Sequence, residues 1–167
     1  MSELAPTAAD LVARLIEGHL TIAVAESLTG GLLVSELINT PGASATVLGG
    51  VVAYQTELKS TLLDVDRELL NQRGAVHPDV AAAMARGVRR RLAVDGHDAD
   101  LGVATTGVAG PDSQDGHPVG TVFLGLSMGS RTAVRSLKLR GDRETIRRET
   151  VTSAINWLAE ALERGLP

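Results

Sequence analysis

One stretch of the chain, residues 21–31, restricts the fold more than any other. Small apolar residues from Ile22 to Ala25 predict a buried strand, and the polar turn Glu26-Ser-Leu-Thr-Gly-Gly31 follows it directly. An apolar helical pattern begins at Leu32. A strand that enters a helix through a Ser/Thr/Gly turn is typical of α/β proteins, and a hydroxyl placed there can act as a nucleophile close to unpaired helix N–H groups. The stretch therefore predicts an α/β fold with Ser27 as a candidate nucleophile.

The rest of the chain predicts a three-layer α/β/α sandwich on a mixed, mostly parallel sheet. Apolar spacing predicts helices over 7–18, 32–38, 56–63, 67–72, 78–92 and 142–162, and further strands over 47–55, 101–105, 119–128 and 132–139. Gly49-Gly50 indicates either a bulge or a close approach to the backbone. Because no repeat or linker interrupts its 167 residues, we expect a single domain over 1–167.

Composition excludes several classes of function. The chain has no cysteine, which rules out disulfides, a thiol nucleophile and thiolate metal sites. A net charge of −4 and only three aromatic residues, Tyr54, Phe123 and Trp157, argue against nucleic-acid binding. The first residues lack a signal-peptide profile, and no apolar run approaches the ~18 residues of a spanning helix. We expect a soluble, cytoplasmic protein without membrane contact.

The residues of the first turn each have a structural alternative. Ser27 is equally well explained as a helix N-cap, and Thr29 is at least as good a cap as a participant in binding. Gly30 and Gly31 are poor helix starters, which favours a ligand reaching their N–H groups. Close packing of helix on sheet would explain the two glycines as well.

A serine nucleophile needs a base, and a lysine is the best candidate. The four histidines fall in predicted loops or helix ends and form no Ser/His/Asp order. Only two of the 16 basic residues are lysines, Lys59 and Lys138, and a desolvated lysine beside a serine can take its proton. Lys59 falls one turn into the short helix after the strand that carries Tyr54. The alternative is a solvated Lys59 and a packing Tyr54.

A second glycine-rich turn, Thr106-Gly-Val-Ala-Gly-Pro-Asp112, follows the buried strand at 101–105. If this strand neighbours the one at 21–25, both turns open at the same edge of the sheet, where α/β proteins bind ligands. Backbone donors in such a turn suit a phosphate or a carboxamide, although a plain tight turn is the alternative. Arg143 near a helix start is unfavourable to the helix dipole, which favours a role with an anionic ligand or a neighbouring subunit.

Taken together, several stretches resemble one known family. They are Ala25-Glu-Ser-Leu-Thr-Gly-Gly31, Tyr54 with Lys59, Gly74-Ala-Val76, Thr106-Gly-Val-Ala-Gly-Pro111, Pro118-Val-Gly-Thr-Val122 and Gly141-Asp-Arg143, in this order. Their combination resembles the C-terminal domain of the CinA (competence/damage-inducible) family over about residues 8 to 163. The family's stand-alone members include nicotinamide mononucleotide deamidase. We expect this chain to be of that stand-alone type, without the other CinA domain, which resembles molybdopterin-binding proteins.

The resemblance implies a metal-free, cofactor-free amidohydrolase of pyridine nucleotide salvage that converts nicotinamide mononucleotide and water to nicotinate mononucleotide and ammonia. It implies Ser27 as nucleophile, Lys59 as base and then acid, and Tyr54 as a further catalytic residue. Substrate-binding residues are then expected in both turns and at the last helix, with Gly30 and Gly31 as candidate oxyanion donors: Thr29, Gly30, Gly31, Thr106, Gly107, Gly110 and Arg143. Family members are oligomeric, which implies a homo-oligomer.

Two positions depart from the family pattern, and one other function stays open. Leu28 stands where the family often has Cys, and Thr56 stands where it often has Asn. We expect Leu28 to be harmless and Thr56 to cap the short helix that carries Lys59. The alternative function is a non-catalytic nucleotide-binding or regulatory module linked to competence or the DNA-damage response.

Overall fold

One five-stranded sheet carries the helices of the protein. The structure, a computed structural model, describes residues 5–166. The helices are α1 (Ala8–Glu17), α2 (Leu32–Ile38), α3 (Thr56–Leu63), α4 (Arg67–Arg73), α5 (Pro78–Arg91) and α6 (Arg143–Arg164). The strands are β1 (Ile22–Glu26), β2 (Val47–Val52), β3 (Leu101–Gly107), β4 (Thr121–Met128) and β5 (Arg131–Lys138), in the order β2-β1-β3-β4-β5.

The expected three-layer α/β/α architecture on a mixed sheet is confirmed. Strand β1 pairs in parallel with β2 and β3, whereas the β3–β4 and β4–β5 pairs are antiparallel. The sheet is therefore divided equally between the two kinds of pairing, where the sequence predicted a mostly parallel one. The antiparallel half exists because no helix separates β3, β4 and β5 along the chain, so each strand can fold back on the one before it.

The two faces of β1 serve two different cores. Ile22 and Val24 belong to a core shared with α1, α2 and α6, whereas Ala23 and Ala25 belong to a second core with residues of α3, α4 and α5. Alternate side chains of a strand point to opposite faces of the sheet, so β1 is covered by helices on both sides. This explains why the strand reads as an uninterrupted apolar run.

Helix α5 lies close to the sheet because glycines on the strands place no side chain between the two backbones. A Cβ added to Gly102 would lie 2.1 Å from the Ala85 carbonyl oxygen, and one added to Gly125 would lie 2.2 Å from that of Ala81. Only glycine on the strands permits this approach. This contact holds α5 against the sheet, and with it the second core, to which α5 contributes.

Strand β2 ends earlier than the sequence predicted, and this leaves two backbone carbonyls outside the sheet pairing. The predicted strand ran to Gln55, but pairing with β1 stops at Glu26↔Val52, where β1 itself gives way to the turn. The register shift between Ile22 and Ala23 skips Leu48, so the first of the two alternatives for Gly49-Gly50, a bulge, is present beside Gly49. The Ala53 and Tyr54 carbonyls, freed from sheet pairing, face the amine of Lys59.

The prediction that both glycine turns open at one sheet edge is confirmed. Strands β1 and β3 are parallel neighbours with Glu26 paired to Thr105, so the segments that follow them emerge side by side. Among residues 5–166, no helix is both long enough and apolar enough to span a bilayer.

Candidate active site

Ser27 begins the turn after β1 and is held there by β3. Its backbone N–H donates to the Thr105 carbonyl at 3.0 Å, which continues the parallel ladder by one residue. The Thr105 hydroxyl lies 3.4 Å from the same nitrogen and 2.8 Å from Thr29 Oγ1. Ser27 is 8% exposed, so its hydroxyl lies at the floor of a cavity rather than on the surface.

Lys59 reaches Ser27 from helix α3, which contributes Leu63 to the second core. Its side chain is fully buried, and Nζ lies 2.9 Å from Ser27 Oγ. Nζ also lies 2.7 Å from the Ala53 carbonyl oxygen and 3.5 Å from that of Tyr54. The structure thus brings together the two residues that the sequence separates by 32 positions.

Burial changes the acid–base behaviour of Lys59. Desolvation lowers the pKa of its ammonium from 10.5 to about 8, while the negative charge of Asp115 acts in the opposite direction. A neutral amine has two N–H groups and one lone pair. With the N–H groups directed to the Ala53 and Tyr54 carbonyls, the lone pair is free to accept the Ser27 hydroxyl proton.

The N-terminus of α2 is capped from within the protein. The buried carboxylate of Glu26 accepts hydrogen bonds from the N–H groups of Leu33 at 2.8 Å and Val34 at 3.1 Å. Glu26 therefore caps α2 from the preceding strand, which explains why the helix needs no Ser or Thr cap. Neither Ser27 nor Thr29 is the cap.

Of the first-turn residues expected to bind substrate, Thr29 and Gly30 are engaged within the protein. Thr29 is fully buried, and its hydroxyl bonds Thr105. The Gly30 N–H donates to the Ser27 carbonyl at 3.1 Å, so it is not free to act as an oxyanion donor. Gly31 is the N-cap residue of α2, with φ of 100°. The two glycines are required because both lie in the left-handed region, with φ of 59° at Gly30.

The second turn does border the cavity, although it begins later than predicted. Thr106 and Gly107 complete β3, and both line the cavity together with Gly110. The Thr106 hydroxyl donates to the Ala75 carbonyl at 2.7 Å, so it holds the neighbouring wall in place. The Asp115 carboxylate holds the same wall through the Ala75 N–H at 2.7 Å.

Tyr54 and Arg143 meet at the mouth of the cavity. The Arg143 guanidinium donates to the Tyr54 hydroxyl at 2.8 Å and to the Gly110 carbonyl at 2.5 Å. Tyr54 is 56% exposed, and its hydroxyl is hydrogen-bonded to Arg143 rather than to Ser27 or Lys59. Arg143 is the first residue of α6, after the N-cap Asp142, which accepts from the Thr145 N–H at 2.8 Å as expected.

The cavity has a volume of about 220 Å³ and a predominantly polar character. Its walls come from the ends of β1 and β3, the start of α3, the 75–76 segment and the start of α6: Ser27, Leu28, Tyr54, Gln55, Thr56, Ala75, Val76, Thr106, Gly107, Val108, Ala109, Gly110, Asp112, Gln114 and Arg143. Thr56 is the first residue of α3 and not its cap, because Gln55 takes that position without a side-chain bond. No group of three or more His, Asp or Glu side chains is placed to share a metal ion within 5–166.

Four residues that support the site were not identified from the sequence: Glu26, Thr105, Asp115 and Arg147. Glu26 and Thr105 are polar residues at the ends of apolar strands, and buried polar residues of this kind need partners. That pattern could have identified Glu26 and Thr105 from the sequence. No such pattern identifies Asp115 or Arg147, because Asp115 lies in a loop and Arg147 is one of several arginines on α6.

Comparison with known proteins shows the family of the chain. The model of the CinA C-terminal domain family matches residues 4–162. A CinA-like protein of Frankia casuarinae is 50% identical over 153 residues, which cover 92% of this chain and 34% of that protein. A putative competence-damage inducible protein of Desulforamulus reducens is 45% identical over 149 residues, 89% of this chain and 35% of that protein. The chain thus spans about a third of the length of these curated relatives.

Solved structures of similar proteins share the fold. A CinA superfamily protein of Escherichia coli superposes with a TM-score of 0.85 at 32% identity, over 95% of this chain and 93% of that one. A competence/damage-inducible protein of Agrobacterium tumefaciens gives a TM-score of 0.83 at 33% identity, over 98% and 100%. The family match, the relatives and the shared fold agree, and the chain belongs to the CinA C-terminal domain family.

Proposed function

We propose that this protein is a Ser/Lys amidohydrolase that deamidates nicotinamide mononucleotide to nicotinate mononucleotide and ammonia, a reaction of pyridine nucleotide salvage. The observation that carries the proposal is the 2.9 Å contact between Lys59 Nζ and Ser27 Oγ at the floor of a polar cavity. A lysine amine that is buried beside a serine hydroxyl, with its pKa lowered to about 8, fits the role of general base.

In the first half of the reaction, Ser27 Oγ attacks the carboxamide carbon while its proton passes to the neutral amine of Lys59. A tetrahedral intermediate forms, with the negative charge on the former carbonyl oxygen. When the C–N bond breaks, Lys59 returns the proton to the leaving nitrogen, so that ammonia departs and an ester with Ser27 remains.

Water completes the cycle. Lys59, again neutral, accepts a proton from the attacking water, and the oxygen of the water bonds to the ester carbon. Collapse of the second intermediate breaks the bond to Ser27 Oγ, which takes back a proton from Lys59. The product is released as the carboxylic acid, which gives its proton to solvent and becomes the carboxylate, and Ser27 and Lys59 return to their starting state.

The guanidinium of Arg143 at the mouth of the cavity suits an anionic group of the substrate. Of the lining residues, Arg143 is basic and Asp112 is acidic, whereas Lys59 lies behind Ser27 and does not line the cavity. A nucleotide phosphate at Arg143 would leave its amide end directed inward to Ser27, past Gly107 and Gly110. Arg143 would then exchange its bond with Tyr54 for the phosphate.

Ammonia release from nicotinamide mononucleotide tests the proposal. We expect turnover by the purified protein and a loss of at least about 1,000-fold in kcat for Ser27→Ala and for Lys59→Met, because the two residues act as one unit. Lys138→Met is the matched control, since Lys138 lies on the edge strand β5 away from the cavity, and it should retain full activity.

Two outcomes would contradict the proposal. No ammonia above the level of Ser27→Ala would exclude the deamidase. Binding of the nucleotide by calorimetry that survives Lys59→Met, with no turnover in the parent protein, would instead support a non-catalytic nucleotide-binding or regulatory module.

A further inference from the structure

Arg147 lies outside the cavity walls but grips the turn that carries Ser27. Its guanidinium donates from Nε to the Leu28 carbonyl at 2.9 Å and from Nη2 to the Thr29 carbonyl at 3.0 Å. No carboxylate among the described residues pairs with it, so its charge acts on these two backbone carbonyls. The buried Ile146 beside it anchors this part of α6 in the first core.

The bond to Thr29 starts a chain of hydrogen-bonded peptides that leads back to the nucleophile. In a trans peptide the C=O and N–H groups point in opposite directions. The peptide that offers the Thr29 carbonyl to Arg147 therefore directs its Gly30 N–H the other way, where it donates to the Ser27 carbonyl at 3.1 Å. The Ser27 carbonyl in turn belongs to the peptide whose N–H is that of Leu28.

The Leu28 N–H is left at the end of this chain. It points away from the interior of the turn, Leu28 lines the cavity, and within residues 5–166 the group has no hydrogen-bond acceptor. It is also the first N–H after the nucleophile, where a donor can meet the oxyanion formed at Ser27. Hydrogen-bonded amides polarise one another, so a guanidinium at one end strengthens the donor at the other.

We propose that Arg147 is a positioning residue that fixes and polarises the Leu28 N–H as the oxyanion donor of this site. The inference rests on the proposed function and deepens it. It replaces the expected donor Gly30, because the Gly30 N–H serves as a link of the chain. The Leu28 side chain contributes nothing to this role, since the donor is backbone.

Kinetics of Arg147 variants test the inference. We expect Arg147→Gln to lower kcat about 100-fold with KM within about threefold of the parent, because the donor serves the transition state and not the bound substrate. Arg147→Lys retains the charge and one donor and should recover about tenfold of that loss. The matched control is Arg148→Gln, since Arg148 is exposed and bonds only Glu144 and its own helix.

A second readout does not depend on turnover of the nucleotide. A fluorophosphonate probe forms a bond from its phosphorus to Ser27 Oγ and expels fluoride, while its P=O oxygen occupies the oxyanion position. The second-order labelling rate should follow the same order as kcat: parent and Arg148→Gln first, then Arg147→Lys, then Arg147→Gln. Circular dichroism and the unfolding midpoint of each variant give the folded fraction by which both rates are corrected.

The outcomes separate the two proposals. If the parent labels at Ser27 but releases no ammonia, the deamidase fails, and the labelling rates alone decide the role of Arg147. If folded Arg147→Gln retains kcat and labelling rate, or if Arg147→Lys is no better than Arg147→Gln after correction, the inference is overturned. If the parent neither turns over nor labels, both proposals are overturned.

Discussion

At the scale of single residues, the site depends on where the protons of Lys59 can go. The Ala53 and Tyr54 carbonyls accept two N–H groups, and the remaining position faces Ser27 Oγ. Burial favours the neutral amine, because an ammonium ion pays a large desolvation penalty in an apolar core. A lysine at this position is therefore a base that is partly deprotonated near neutral pH.

The pH dependence of turnover follows directly. We expect kcat/KM to rise with pH and to level off above about 8, because the neutral amine is the active form and burial lowers the pKa of Lys59 to about 8. The measurement is a profile of initial rates between pH 6 and pH 10. A rate that is flat from about pH 6 upward would contradict the assignment of Lys59 as base.

Asp115 supplies a control within the same profile. Its negative charge raises the pKa of Lys59, so Asp115→Asn should move the rising limb to lower pH. The asparagine keeps an oxygen for the Ala75 N–H, which limits structural disturbance. A shift to higher pH would have the wrong sign for an electrostatic effect.

At this scale, the sequence predicted the pair that the structure brings into contact, Ser27 and Lys59, but not the groups that hold it. Ser27 and Lys59 were recognisable because a hydroxyl at a strand end and a rare lysine are chemically distinctive. Glu26 and Arg147 were not, since their roles arise from backbone groups brought near them by folding. The bond from the Gly30 N–H to the Ser27 carbonyl was missed for the same reason, because a turn's internal hydrogen bonds cannot be read from residue types.

At the scale of elements, the closeness of α5 to the sheet decides how firmly the second core is held. Gly102 and Gly125 lie on neighbouring strands, and each faces a backbone carbonyl of α5. Alanines 81 and 85 on the helix complete the contact. The interface therefore tolerates no added methyl group on the strands.

We expect Gly125→Ala to lower the free energy of unfolding by about 1–3 kcal/mol or more, since the new Cβ meets the Ala81 carbonyl oxygen at 2.2 Å and the backbones must separate. Urea unfolding followed by circular dichroism measures the change. Gly129→Ala is the control: its Cβ would have no atom within 4 Å, and only its φ of 58° opposes the substitution. Equal losses of unfolding free energy in the two variants would mean that α5 can move away from the sheet at little cost.

Most helices and strands were predictable because their apolar periodicity is strong. The ends were less so, for local reasons. Strand β2 stops at Val52 because its partner β1 ends, and β3 continues through Gly107 because β4 extends far enough to pair with it. A strand end depends on its neighbour, which a single stretch of sequence does not contain.

At the scale of the whole molecule, the buried amine of Lys59 opposes folding at neutral pH. Its pKa is lowered in the folded state, so the unfolded chain binds more protons between about pH 8 and pH 10.5. Stability attributable to this group therefore rises as pH increases through that window. Below about pH 8 both states are protonated, and the penalty of burying the charge is fully present.

Lys59→Met isolates this effect. We expect the variant's advantage in unfolding free energy over the parent to be largest below pH 8 and to shrink by about 3 kcal/mol as the pH approaches 10.5. Urea unfolding of both proteins at several pH values measures the difference in unfolding free energy. Groups other than Lys59 titrate alike in both proteins, so their contributions cancel in this difference. An advantage that grows with pH would show that the folded-state pKa is not lowered.

The bonds that hold Ser27 also determine when, during folding, the site comes into existence. The N–H of Ser27 bonds Thr105, which lies 78 positions away, and its hydroxyl contacts Lys59, which lies 32 positions away. Arg147 binds the Leu28 carbonyl of the same turn from 119 positions away. Contacts of such sequence separation close large loops and form slowly. A nascent chain that has not yet produced α6 would hold Ser27 and Lys59 without the grip of Arg147. The contacts around Ser27 are thus complete only when the last helix docks.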